Sequence, residues 1–179
     1  MFELGNTAFV LVDVQGKLAS VMHEREALYR NLKILLRGML ALRVPLIWME
    51  QIPEKMGPTI PELTAHLDDH TPIPKACFSC CGNDAFLQAL KASGARQVVM
   101  AGIETHVCIY QTARDLLDLG FEVEVVADAV SSRFKANRDI ALQKIAGLGA
   151  GITSAESMLF ELMRTSEHPA FRDILKIVK

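Results

Sequence analysis

Hydrophobic positions along this chain fall into short continuous runs, separated by longer stretches in which apolar residues recur at helical spacing. Thr7 to Val14 is an apolar run rich in β-forming residues, with the carboxylate of Asp13 near its end. Burial on both faces is what such a run implies, so it reads as a central strand of a parallel sheet. From about Met22 to Arg43, Leu28, Leu32, Leu35, Leu36 and Met39 form the apolar face of a long helix. Val44 to Glu50 is the second strand, after a very short link. Gln51 to Pro61 holds three of the seven prolines and reads as a loop at the sheet edge that Asp13 occupies, where it can wall a pocket. Glu62 to Leu67 predicts a short helix.

The remaining elements follow in the same way. Two prolines between Thr71 and Lys75 argue for an extended edge segment, and Lys75 lies among apolar residues. A lysine in such company usually carries its ammonium out to solvent. Asn83 caps a helix from Asp84 to Ser93 that Gly94 closes. Val98 to Ile103 is a buried strand that turns abruptly, at Gly102 and Thr105, into a helix running to about Leu119. Phe121 to Asp128 is a further strand ending in a carboxylate, followed by a turn to Arg133. Helices are predicted over Lys135 to Ala146, Ala155 to Met163 and Pro169 to Val178, with a short strand-like segment at Gly151 to Ser154. Strands alternating with helices specify an α/β protein, with helices on both faces of a parallel sheet, in one domain over residues 1–179.

Composition adds exclusions. Half of the residues are hydrophobic and 22% are charged, which is globular usage. A net charge of -2 with intermingled signs gives no footprint for nucleic acid or an anionic membrane. The first residues resemble no signal segment and no apolar run reaches spanning length, so a cytoplasmic protein with four reduced cysteines is expected. No Gly-x-Gly-x-x-Gly follows a strand, which removes a dinucleotide site. Cys77, Cys80 and Cys81 lie in an extended, proline-bounded segment and read as spectator thiols. His66 and His70 have i, i+4 spacing but fall where the short helix ends, so they read as surface histidines, and neither metal nor cofactor is expected.

The remaining chemistry gathers around Cys108. At the first turn of a helix on the carboxyl edge of the sheet, a cysteine feels the positive end of the helix dipole, which favours the thiolate. It also needs a base and a cation, roles open to Asp13 and Lys75. Spacing alone does not unite three residues so far apart, and for each the plainer reading, a turn carboxylate and a solvated lysine, stands beside the catalytic one.

A resemblance sharpens this. Val12-Asp-Val-Gln15, Lys75 with Phe78-Ser79, Gly102-Ile-Glu-Thr-His-Val-Cys108, Thr112-Ala-Arg-Asp115 and Val126-Ala-Asp-Ala129 resemble the isochorismatase-like cysteine hydrolases in their order along nearly the whole chain. Ser131-Ser-Arg133 and His168-Pro-Ala-Phe171 are similar to the isochorismatase-domain-containing branch. The resemblance implies a three-layer α/β/α fold with a Rossmann-like six-stranded parallel sheet. It also implies a Cys108–Asp13–Lys75 triad and a cis peptide at Ile103–Glu104. The backbone N–H groups of Glu104 and Cys108 would form an oxyanion hole, and Gln15, Gln51 and Phe78 would contact substrate. The expected activity is thioester-mediated hydrolysis of a small amide by a homo-oligomer. Ether or ester hydrolysis of the isochorismatase kind, or a catalytically idle interaction module, are the alternatives. Nicotinamidases of this superfamily bind metal through an Asp and two His after the second strand; Gln51 to Pro61 holds neither residue type, which disfavours that chemistry.

Overall fold

The structure, a computed structural model, describes residues 1–179. Six strands, β1 (Thr7–Val12), β2 (Leu46–Gln51), β3 (Ile73–Lys75), β4 (Gln97–Ile103), β5 (Glu122–Ser131) and β6 (Gly151–Thr153), form one sheet. Every pairing is parallel, in the order β3-β2-β1-β4-β5-β6. This is the expected Rossmann-like arrangement.

The unbroken apolar runs of β1 and β4 are explained by their position: every residue of both strands is buried. Alternate side chains serve two cores, as the two-residue period of a strand requires. Phe9 and Leu11 pack with α2 (Arg25–Ala41), α8 (Ala155–Met163) and α9 (Phe171–Val178), whereas Ala8, Val10 and Val12 pack with α5 (Asp84–Ser93), α6 (Tyr110–Asp118) and α7 (Lys135–Gly147). Leu32, Leu35, Leu36 and Met39 of α2 are wholly buried, each side chain contributing about 1.5–3 kcal/mol relative to exposure. No helix is long and apolar enough to cross a membrane.

Three elements differ from the sequence expectation. The helix expected from Met22 starts at Arg25, because Glu24 adopts a left-handed conformation (φ 50°), and a separate turn, α1 (Gly16–Ser20), precedes it. The proline-rich loop contains a one-turn helix, α3 (Pro53–Met56), with Pro53 at its first position, where a missing N–H costs nothing. A second turn, α4 (Pro61–Thr64), follows. Strand β5 continues to Ser131 through the expected turn. Met100 pairs with Val125 but Gly102 with Val130, so three extra residues of β5 bulge out between them. Asp128 lies in that bulge, where its carboxylate caps α8 by accepting from the Ala155 N–H at 2.8 Å.

Gly102 faces this bulge at φ 124°, and a Cβ built there would lie 2.0 Å from the Val12 carbonyl oxygen. The obstruction is backbone of the central strand and cannot swing aside. Gly102→Ala is therefore expected to destabilise the protein by more than about 3 kcal/mol. Gly147→Ala, in an ordinary helical conformation with open space around the new carbon, should be neutral or stabilising by up to about 1 kcal/mol. Urea unfolding of the two variants checks both signs.

Candidate active site

The carboxyl ends of β1, β3 and β4 converge on one cluster. Asp13 follows β1 directly with φ 55°, a left-handed conformation that Asp tolerates better than most residues, and its N–H donates to the Met49 carbonyl of β2. Lys75 is the last residue of β3. Cys108 lies in a π-helical turn, Thr105–Ile109, that joins β4 to α6. The Ile103–Glu104 peptide bond is cis.

Lys75 does not reach solvent. Its side chain is 0% exposed, and Nζ donates to Asp13 Oδ2 at 2.6 Å and Gln51 Oε1 at 2.5 Å. The carbonyls of Cys77 and Phe78 lie at 3.2 and 3.3 Å, and Cys108 Sγ at 3.7 Å. A buried ammonium is tolerable only with acceptors of this kind around it. Snorkelling fails because the segment after β3 folds back over the side chain. Asp13 Oδ1 is buried without a conventional hydrogen-bond partner and is the free acceptor of the cluster.

The two glutamines face inward. Gln51 Nε2 donates to the Ala76 carbonyl while its Oε1 receives Lys75. Gln15, 0% exposed, donates through Nε2 to the carbonyls of Gln51 and Gly57 and accepts the Gln51 N–H through Oε1. Both line the cavity, yet their amides tie the loops after β1, β2 and β3 together. Glu104 is held similarly, its Oε1 accepting from the backbone N–H and Nε of Arg133. Its own N–H has no backbone acceptor.

Burial raises Asp13 above the usual carboxylate range, and the Lys75 ammonium brings it back only in part. Burial, the largest single influence, pulls the Lys75 ammonium down, but the charge and hydrogen bond of Asp13 together with Cys108 and Cys80 outweigh it and the net direction is up. Burial and then repulsion from Asp13 push the Cys108 thiol strongly up, which Lys75 offsets incompletely. These directions favour a protonated thiol at Cys108 beside the Asp13–Lys75 pair. The helix dipole that favours a thiolate is opposed here by burial, Cys108 being 7% exposed, and by the neighbouring Asp13. Burial drives the neighbouring Cys80 up to about 12 and Cys81 up to about 11, so neither ionises readily at neutral pH.

The cluster floors a cavity of about 260 Å³ whose lining includes Asp13, Phe78 and Cys108. Leu18 of α1, and Ile52, Lys55 and Met56 at or in α3, complete its wall. The sequence placed the loop but not these side chains, because one-turn helices leave no readable period. A larger depression of about 460 Å³, beside Arg30 and Arg37 of α2, contains no nucleophile.

A parallel α/β sheet with this cluster at its carboxyl edge defines a class of small hydrolase-like proteins. The chain matches the family model of the isochorismatase domain over residues 7–157 and belongs to that family. It is 39% identical to isochorismatase domain-containing protein 2 of Bos taurus over 98% of this chain and 84% of that protein. Among solved structures, MAR1 ribonuclease from Caenorhabditis elegans is similar with a TM-score of 0.93 at 35% identity, covering 99% of this chain and 91% of that one. YcaC from Pseudomonas aeruginosa, solved with hexane-2,5-diol and covalent acrylamide, gives a TM-score of 0.92 at 26% identity over 98% of this chain and 90% of that one.

Lys75→Met should destabilise the protein by about 3–5 kcal/mol at neutral pH, since it strands a buried carboxylate. Asp13 is raised already, and loss of Lys75 raises it further. The penalty is therefore small in acid, where Asp13 is protonated, and grows as pH rises through its folded-state pKa. Adding Asp13→Asn should abolish that pH dependence, which denaturant unfolding between pH 5 and pH 8 reads directly.

Proposed function

We propose that the protein is a cofactor-independent hydrolase in which Cys108 attacks a small carbonyl compound, with an amide as the preferred class. The observation that carries this reading is the contact of one buried ammonium, Lys75 Nζ, with both Asp13 Oδ2 and Cys108 Sγ at the cavity floor. A nucleophile, a base and a cation meet there without solvent between them.

In this mechanism Cys108 Sγ bonds to the carbonyl carbon as its proton passes to Asp13. The oxyanion is received by the N–H groups of Glu104 and Cys108. Collapse breaks the C–N bond, and Asp13 delivers its proton to the departing amine. Water then gives a proton to Asp13 while its oxygen attacks the thioester. The second collapse releases the acid and the Cys108 thiolate, which Asp13 reprotonates. Lys75 stabilises Asp13 as carboxylate and the sulfur while it is charged. Gln51 and Gln15 act by holding Lys75 and the loops around it.

The covalent acrylamide on YcaC supports the reading, because acrylamide is an electrophile that traps nucleophiles. The ribonuclease name of the Caenorhabditis elegans relative favours a second reading, phosphodiester hydrolysis. Against it, the one buried cation of the site is already engaged by Asp13, Gln51 and two carbonyls.

Ammonia release from a panel of small amides, with single-stranded RNA as a parallel substrate, separates the two. Cys108→Ala is expected to remain folded and to lose about three orders of magnitude or more of amidase activity, with no thioester adduct by mass spectrometry. Asp13→Asn should lose about 10²–10⁴-fold. Because Asp13 must be ionised and its pKa is raised by burial, kcat/KM should fall in acid with a midpoint above the ordinary carboxylate range. RNA cleavage that survives Cys108→Ala in place of amide hydrolysis would overturn the proposal.

A further inference from the structure

Resting on that reading, we propose that the substrate is a short, uncharged carboxamide whose acyl group is apolar. The inference starts from which polar groups the cavity leaves free. Both amide ends of Gln15 and both of Gln51 are hydrogen-bonded within the protein. Lys75 Nζ is surrounded by acceptors, and Glu104 Oε1 is held by Arg133. The side-chain polar atoms left beside the reacting carbon are Asp13 Oδ1 and Cys108 Sγ, which serve the chemistry, and Glu104 Oε2, on a carboxylate already paired with Arg133.

The walls beyond the floor are hydrocarbon, from Leu18, Ile52, Met56, Phe78, Ile103 and Val107. Phe78 is 55% exposed at this cavity, so an apolar group seated there removes both its own surface and that of the ring from water. A charged or polyhydroxylated acyl group would lose its hydration against these walls and meet few partners, Glu104 Oε2 and the exposed Lys55 being the charged groups beyond the floor. Lys55 is the cation among the lining residues, and it is exposed; an anionic group reaching it would remain in water, where such a pair contributes little.

Size narrows the class further. About 260 Å³ lies just below the usual range of small-molecule pockets and equals the space of about nine waters at about 30 Å³ each. That accommodates a carboxamide with an acyl chain of about four to six carbons.

The test uses the wild-type protein with acetamide, propanamide, butanamide, pentanamide and 4-methylpentanamide, together with succinamate, the carboxylate isostere of the last. kcat/KM for ammonia release should rise about fourfold per methylene, the equivalent of about 0.8 kcal/mol, until the cavity is full. Succinamate should react at least about a hundredfold more slowly than 4-methylpentanamide. A second readout, independent of turnover, is protection of Cys108 from iodoacetamide: 4-methylpentanamide should protect and succinamate should not. Met56→Ser should flatten the dependence on chain length. Hydrolysis that is indifferent to chain length, or faster with succinamate, overturns this inference and leaves the nucleophile reading intact. Selective protection by 4-methylpentanamide without release of ammonia from any amide supports the apolar specificity and overturns the amidase chemistry instead. Absence of both turnover and protection across the panel overturns the inference.

Discussion

The ion pair between Asp13 and Lys75 joins the end of a central strand to the end of an edge strand across the intervening β2, with both side chains almost wholly withdrawn from water. Neither charge is tolerable there alone, so each fixes the conformation of the chain around the other. Lys75 draws the Cys77 and Phe78 carbonyls over itself and thereby closes one side of the cavity. Gln51, at the end of β2, stands between the partners and carries the tie onward through Gln15 to α3. The floor and two walls of the site thus follow from one buried pair and the glutamines that complete its hydrogen bonding.

The pair also governs the thiol. Burial and the nearby carboxylate raise the Cys108 thiol, and under the proposed function the same carboxylate is the acceptor for its proton. Under the proposed function, the reactive sulfur forms as substrate occupies the site and its carbonyl begins to take up charge. Resting neutrality would protect the thiol from adventitious oxidation, since the thiolate is the oxidisable form. At the neighbouring Cys80, burial is the main influence, raising the thiol to about 12.

Much of the architecture was legible because apolar runs and helical periods are local signals. The full burial of β1 and β4, and the apolar face of α2, could be read from residue order. The departures lie where tertiary contacts decide. Left-handed Glu24 breaks a helix whose pattern continues past it, and the β5 bulge lies opposite Gly102, whose backbone also packs against the Val12 carbonyl. The burial of Lys75 was hidden for a similar reason: a three-residue edge strand has no period to show which side chain points inward. Cys108 was conspicuous at the strand–helix join, but the burial and the Asp13 charge that oppose its ionisation come from tertiary packing and from a residue some ninety-five positions away, which local sequence does not show.

The most direct measurement is the rate of iodoacetamide alkylation at Cys108 as a function of pH, resolved from the other three thiols by peptide mass spectrometry, in the wild type and in Asp13→Asn. If Asp13 accepts the thiol proton, Cys108 in the wild type keeps reacting down to the raised pKa of Asp13, well below the pH at which ordinary thiols fall silent. In Asp13→Asn that low-pH reactivity disappears. A wild-type profile that instead rises with pH like an isolated, high-pKa thiol, unchanged by Asp13→Asn, would contradict the account.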